Sequence, residues 1–172
     1  MATAAKPLTL EEFRSQYAGR KPHFEYWFGE AIQKPMPTWL HALVQSILGE
    51  MLRHAGYKVG SELELRIDPR WEPVPDMAAT LKRLEQPYPT KPLEIVVEIL
   101  SPDDRMSQVL SKCRHYSRIG IEKVFVIDPE AQDGWEWDGK AERLERIQHL
   151  ALTNGRNVAL ADLWREVSKQ LE

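Results

Sequence analysis

The clearest pattern along the chain is an apolar stripe within residues 39–55, which predicts an amphipathic helix. Its apolar residues recur every three or four positions and so share one helix face. Thr38 can cap the start of this helix, and Gly56 can end it. Thr9 begins a capping-box sequence, which predicts a shorter helix as far as Gly19. The stripe consists of Leu40, Leu43, Val44, Ile47, Leu48, Met51 and Leu52.

Several shorter stretches alternate between apolar and polar residues or form apolar runs, and these predict strands. Residues 23–34 alternate around Gly29 and predict a β-hairpin. Residues 58–68 alternate as well, which predicts one half-buried strand. The nearly continuous apolar run over 93–100 is typical of a central strand that is covered on both faces. Further strands are predicted within 76–83, 123–128, 134–139 and 143–150.

Two more helices complete the predicted fold. Residues 104–118 carry apolar residues at helical spacing before Gly120, and residues 159–171 form a last amphipathic stretch. Because strands and helices are interspersed, we expect an α/β domain with a mixed sheet flanked by helices, formed by residues 1–172. The strand, helix and strand between positions 93 and 128 predict a right-handed βαβ unit.

Composition and charge narrow the classes of function. The chain has 172 residues and a formal net charge of −3, which argues against a protein that coats nucleic acid nonspecifically. Cys113 is the single cysteine and excludes an intrachain disulfide or a multi-cysteine metal site. No apolar run approaches the ~20 residues that span a bilayer, and the N-terminal residues lack a signal-peptide core. We therefore expect a soluble, cytoplasmic protein with no membrane partner.

Glu98 is the most unusual residue, because it interrupts the apolar run over 93–100. A buried carboxylate is costly unless another group compensates for its charge. One interpretation is a buried ion pair with an arginine such as Arg66 or Arg105. The other depends on Asp76, which begins the preceding strand and can meet Glu98 at one end of the sheet if the two strands pair.

Two neighbouring carboxylates repel each other unless a proton or a cation lies between them. Mg²⁺ prefers oxygen ligands, and it can activate water and stabilise charge on a phosphate. Lys112 flanks the apolar face of the following helix, and its long stem could present the ammonium group at the edge of the sheet. Two acids and one lysine are a minimal set for metal-assisted cleavage of a phosphodiester.

Several segments taken together resemble the putative restriction endonuclease family of bacteria, within the PD-(D/E)XK nuclease superfamily. They are Pro75-Asp76, the VVEILSPDD sequence at 96–104, Lys112 with Tyr116, and the GIEKVFVIDP sequence at 120–129. The opening sequence at 24–32 and the closing LADLW sequence are also similar, so the resemblance spans roughly residues 9–165. It implies a restriction endonuclease-like fold and Mg²⁺-dependent cleavage of DNA.

The resemblance also implies roles for individual residues. Asp76 corresponds to the metal-binding acid of the PD pair, and Glu98 to the acid of (D/E)XK. The plain motif has a lysine two residues after this acid, where the present chain has Leu100. Lys112 would replace that lysine from the following helix.

Three residues near the predicted N-terminal elements are candidates for supporting the metal ligands. The resemblance suggests Glu25 and Glu30, although both are typical surface charges of a hairpin. His41 is either a residue at the start of a helix that bonds to a neighbouring loop, or a polar group near the site.

The sequence thus predicts a DNA endonuclease in which Asp76, Glu98 and the Ile99 carbonyl bind Mg²⁺, with Mn²⁺ as a substitute. A homodimer is expected, because two symmetric sites are the simplest way to cut both strands of a duplex. One alternative is a catalytically inactive, nuclease-derived module for DNA binding or assembly, favoured by the acidic pI and by Leu100 at the lysine position. Another is a metal-dependent hydrolase of a smaller phosphate ester.

Overall fold

The computed structural model describes residues 6–172. Residues 1–5 belong to the N-terminal segment in which we expect no signal-peptide core, and they lie outside this range. The helices are α1 (Leu10–Tyr17), α2 (Trp39–His54), α3 (Met106–Arg118) and α4 (Leu160–Leu171). The strands are β1 (Phe24–Trp27), β2 (Glu30–Gln33), β3 (Lys58–Ser61), β4 (Trp71–Glu72), β5 (Met77–Thr80), β6 (Ile95–Ile99), β7 (Lys123–Asp128), β8 (Asp133–Asp138), β9 (Arg143–Arg146), β10 (His149–Ala151) and β11 (Asn157–Ala159). Within residues 6–172, every helix is too short or too polar to cross a membrane.

A six-stranded sheet in the order β3-β5-β6-β7-β8-β9 forms the centre of the domain. Strands β6 and β7 run parallel on either side of α3 in sequence, and the other neighbours are antiparallel. All five residues of β6 are buried, as the apolar run predicted for a central strand. The predicted class, a mixed α/β sheet flanked by helices, is confirmed.

A second sheet, in the order β2-β1-β4, contains the predicted hairpin. Phe28 and Gly29 form its turn with positive φ angles of 49° and 96°, a conformation for which glycine is well suited. Strand β4 was not predicted, because it is two residues long and lies between prolines in a segment that looks like a turn. Its pairing with β1 connects the hairpin to the segment that leads to Asp76.

The strand predicted over 58–68 is wrong beyond Ser61. Glu62 has a φ of 53°, in the left-handed region, and this ends the regular pairing of β3 with β5. The backbone N–H of Leu65 instead donates to the carbonyl of Pro73 at 2.9 Å. The alternating leucines still enter the core, so the pattern reported their burial correctly but not their backbone conformation.

The two faces of β6 enter two different hydrophobic clusters. Val97 and Ile99 pack in the cluster that contains Leu48 of α2 and Leu163 of α4. Val96 packs on the other side, in the cluster that contains Cys113 of α3. Alternate residues of a strand share a face. Glu98 therefore projects from β6 toward α3.

The docking of α4 can be tested with a single truncation. Leu163 is fully buried, and Leu163→Ala should lower the free energy of unfolding by about 2–5 kcal/mol through lost contacts and a cavity. Leu84→Ala is a matched control at a side chain that is 46% exposed, and it should change this free energy by less than about 0.5 kcal/mol. Urea unfolding measures both, and similar losses for the two variants would contradict the packing of α4.

Candidate active site

The ends of β5 and β6 bring the two predicted acids to one place. Met77 pairs with Val97, so the next step of the antiparallel register sets Asp76 opposite Glu98. Both side chains are buried, and both line a cleft that Lys112 also lines. Asp76, Glu98 and Lys112 thus line one cleft, and their chemical roles stay predictions.

Asp76 is held by three structural elements at once. Its Oδ2 accepts a hydrogen bond of 2.7 Å from the Ile99 N–H of β6, and its Oδ1 lies 2.9 Å from the Lys34 Nζ. From α2, the His41 Nε2 lies 3.5 Å from Oδ1, and Gln45 donates to the Asp76 carbonyl at 2.6 Å. Burial alone would raise the pKa of Asp76, but the Lys34 ammonium and His41 hold it well below its usual value. Asp76 is therefore a firmly ionised carboxylate.

Glu98 meets a lysine and a tyrosine, which both belong to α3. Its Oε1 lies 2.8 Å from the Lys112 Nζ and accepts a hydrogen bond of 2.6 Å from the Tyr116 hydroxyl. Burial raises the pKa of Glu98 to about 7; the Lys112 ammonium opposes this rise, and the charge of Asp76 adds to it. Glu98 consequently gains and loses its proton far more easily than Asp76 does near neutral pH.

The alternative interpretation of Glu98, a buried ion pair with Arg66 or Arg105, is wrong. Arg66 instead lies 2.6 Å from a carboxylate oxygen of Glu64, and Arg105 is exposed at the start of α3. Lys112 is the cationic partner of Glu98 because α3 packs directly on this face of β6.

Lys112 bridges two strands through their carboxylates. Its Nζ lies 2.9 Å from Glu25 of β1 and 2.8 Å from Glu98 of β6. Burial alone would lower the pKa of Lys112, but the Glu25 and Glu98 carboxylates raise it well above its usual value. Glu25 also accepts hydrogen bonds from the Val74 N–H at 2.8 Å and the Trp27 indole N–H at 3.1 Å. Lys112 therefore stays charged and fixes the orientation of both acids.

The remaining candidates have different outcomes. Glu25 lines the cleft, whereas Glu30 lies beside the hairpin turn with an exposed side chain and is not among the lining residues. His41 satisfies both of its interpretations, since its Nδ1 is 3.0 Å from the Ser101 Oγ in the loop after β6 while its Nε2 faces Asp76. The Ile99 N–H donates to Asp76, and metal ligation by the Ile99 carbonyl stays a prediction.

Lys34 and Glu62 are the important residues that the sequence reasoning missed. The Lys34 Nζ lies 2.9 Å from Asp76, 3.1 Å from Glu62 and 2.7 Å from the Val74 carbonyl. Lys34 continues the alternation of β2 and shares a face with Ile32, a signal that could have indicated an inward lysine. No comparable signal exists for Glu62, which reaches this position because the chain leaves β3 there.

The charges around the cleft favour a cation. Four carboxylates, those of Glu25, Glu62, Asp76 and Glu98, face the ammonium groups of Lys34 and Lys112. When all four acids are ionised, negative charge exceeds positive charge. A divalent cation would neutralise the excess without any change in the side chains present.

The raised pKa of Glu98 predicts a dependence of stability on pH. Between its usual value of 4.5 and about 7, the folded chain retains a proton on Glu98 that the unfolded chain releases. The stabilisation that this proton provides is complete below pH 4.5 and is lost as the pH rises to about 7. Asp76 acts in the opposite direction, below its usual value of 3.8 and thus outside this window.

Urea unfolding in EDTA measures this effect as the difference in unfolding free energy between wild type and Glu98→Gln. We expect the unfolding free energy of wild type to fall relative to that of Glu98→Gln from pH 4.5 to about 7, and the difference to stay constant above that. A difference that is constant over the whole range would contradict a raised pKa for Glu98.

Comparisons with known proteins agree with the fold. A crystal structure described as that of a putative nuclease from Anabaena variabilis matches with a TM-score of 0.79 and 23% sequence identity. The match covers 94% of this chain and 99% of that chain, and at this identity it shows a shared fold of restriction endonuclease-like type. No curated protein matches the chain.

A family model covers most of the length of the chain as well. The model is described as Uma2, putative restriction endonuclease, and it matches residues 10–163. This range contains every residue of the cleft discussed above. The chain belongs to the Uma2 family of putative restriction endonucleases.

Proposed function

We propose that the protein is a Mg²⁺-dependent endonuclease that hydrolyses DNA phosphodiester bonds. The observation that carries the proposal is the placement of two buried carboxylates, Asp76 and Glu98, in one cleft at the end of two paired strands. Membership of a nuclease family supports nucleic-acid hydrolysis over other phosphate chemistry. The excess of carboxylates in the cleft supports a dependence on a divalent cation.

The residues present fit a hard cation. Asp76 and Glu98 supply carboxylate oxygens, and Ile99 would add a backbone carbonyl, a set that suits Mg²⁺ or its substitute Mn²⁺. Within residues 6–172, the hydrogen bonds to Glu98 fall on Oε1, which leaves Oε2 to serve as a ligand. When bound, the ion would activate a water molecule and stabilise negative charge on the phosphate.

Lys112 and Tyr116 would position Glu98. Both contact its Oε1, so they fix the plane of the carboxylate and direct the other oxygen elsewhere. Because its pKa is raised, Lys112 keeps its proton near neutral pH and cannot act as a base. Its role is to stabilise negative charge at the site, as the lysine of the plain motif would from the position of Leu100.

The wider arrangement is also part of the proposal. A single nuclease domain would act on DNA as a homodimer in the cytoplasm, with one site for each strand of a duplex. The rival is an inactive module for DNA binding or assembly. It is favoured by Leu100 at the lysine position and by the engagement of Lys112 with two carboxylates. Metal titration separates the two, since the inactive module should bind neither Mg²⁺ nor Mn²⁺ at these acids.

Plasmid nicking in the presence of Mg²⁺ tests the assignment of the two acids. Asp76→Asn and Glu98→Gln keep the shape of each side chain but remove its charge, and both should reduce nicking to the background without metal. Glu30→Gln is a matched control, because Glu30 is exposed and lies outside the cleft. It should nick as wild type does. Equal nicking by all four proteins would remove Asp76 and Glu98 from the mechanism.

Lys112→Met tests the positioning of Glu98. The substitution keeps an unbranched side chain in α3 but leaves Glu25 and Glu98 without their shared cation. We expect metal affinity or nicking to fall by about 10–100-fold, the usual effect of losing a group that orients a ligand. Calorimetric Mg²⁺ titration and nicking measure it, and unchanged values in both would refute the role of Lys112.

A further inference from the structure

The Lys34 ammonium occupies a position that is lined by oxygen atoms. Its three neighbours are the Asp76 Oδ1 at 2.9 Å, the Glu62 Oε2 at 3.1 Å and the Val74 carbonyl oxygen at 2.7 Å. The side chain of Lys34 is only 10% exposed, so the charge lies inside the protein. Burial alone would lower the pKa of Lys34, but the Asp76 carboxylate raises it. The protein thus holds one of its own cations between two carboxylates.

His41 provides an independent observation at the same position. The residue is 4% exposed, and its Nε2 has no hydrogen-bond partner within residues 6–172. This nitrogen lies 3.5 Å from the Asp76 Oδ1, and the opposite ring nitrogen lies 3.0 Å from the Ser101 Oγ. In one tautomer Nε2–H faces the Asp76 carboxylate and helps to lower its pKa. In the other, Nδ1 donates to the Ser101 hydroxyl and Nε2 presents a lone pair, the arrangement usual for histidines that bind metals.

The three side chains can converge on one ion. Single ligand atoms of His41, Glu62 and Asp76 all lie within 4.8 Å of one another. A second cleft, lined by Lys34 and Met36, leads to these three residues from the side of the β2–α2 loop. An ion therefore has a path to the position that does not pass Glu98 or Lys112.

We propose that His41, Glu62 and Asp76 form a second metal position. The Lys34 ammonium group occupies this position until a transition-metal dication displaces it. One imidazole with two carboxylates favours Mn²⁺, Co²⁺ or Zn²⁺ over Mg²⁺, which prefers oxygen ligands alone. Entry of the ion requires the Lys34 side chain to leave, so the two cations compete. The position shares Asp76 with the proposed magnesium site but depends on Glu62 and His41 instead of Glu98.

Competition by Lys34 can be measured with Co²⁺ as the probe, by calorimetry and by its visible absorption. Apparent affinity falls in proportion to the fraction of molecules in which a position is free. If the ammonium occupies the position at least about 90% of the time, Lys34→Met should bind Co²⁺ at least about tenfold more tightly than wild type. Lys58→Met is the matched control, since the side chain of Lys58 is exposed and, among residues 6–172, donates only to the Leu81 carbonyl. It should bind Co²⁺ as wild type does.

Adding Glu62→Gln to Lys34→Met should return the affinity for Co²⁺ to that of wild type. Equal affinity in wild type and Lys34→Met would overturn the proposal, and so would a gain that persists in the double variant. The test is independent of the proposed nuclease activity, because it reads metal binding and not cleavage. A protein that fails to nick DNA but gains Co²⁺ affinity in Lys34→Met would refute the proposed function and support the second position.

Lys34→Met also leaves Asp76 without its cation, so far-UV circular dichroism must show that the variant folds. If it does not fold, wild type, His41→Asn and Glu62→Gln still decide the question, because all three retain Lys34. Co²⁺ at high concentration should give wild type the absorption of a nitrogen-ligated ion, and this band should be lost in His41→Asn and weakened in Glu62→Gln. Identical spectra from the three proteins would overturn the proposal.

Discussion

The compensation of buried carboxylates by two lysine ammonium groups is the interaction on which the cleft depends. An isolated ionised acid in the interior is strongly unfavourable. Four acids in or beside this cleft, Glu25, Glu62, Asp76 and Glu98, contact the two ammonium groups. Lys112 joins Glu25 to Glu98, and Lys34 joins Glu62 to Asp76. Each lysine therefore connects elements that are distant in sequence. Neutralising the charges of the cleft and holding the six-stranded and three-stranded sheets together depend on the same contacts.

The two central acids differ because their partners differ. Asp76 accepts a backbone hydrogen bond and faces an ammonium group, and its pKa is lowered. Glu98 lies deep against α3, and burial raises its pKa to about 7 despite Lys112. The cleft thus contains one carboxylate that stays ionised, Asp76, and one whose charge changes near neutral pH, Glu98. A cation that bound between them would be attracted by the first and would compete with a proton for the second.

Much of this arrangement can be predicted from local sequence, because the responsible signals are local. The apolar run around Glu98 identifies a central strand, and proline before Asp76 places that acid at the start of the neighbouring strand. The period of α3 puts Lys112 beside the residues that face the sheet. These signals describe single elements, and the simplest pairing of the elements brings the three residues together.

The rest depends on contacts between segments that are far apart in the chain. Glu62 approaches Lys34 only because a residue in the left-handed region ends β3, and the alternating leucines give no indication of that break. The pairing of β4 with β1 brings Glu25 to Lys112, but a strand of two residues between prolines has no recognisable pattern. Sequence periodicity reports which residues are buried more reliably than it reports where the backbone turns.

The hydrogen bond from the Ile99 N–H to Asp76 has an evolutionary implication. The carboxylate accepts a hydrogen bond from a backbone N–H of β6 at the point where β5 no longer supplies a carbonyl. The side chain of Asp76 thus replaces the last backbone hydrogen bond between the two strands. A relative without nuclease activity would still keep an aspartate here because the sheet needs it to fold. Retention of this acid in a relative is therefore weak evidence for catalysis.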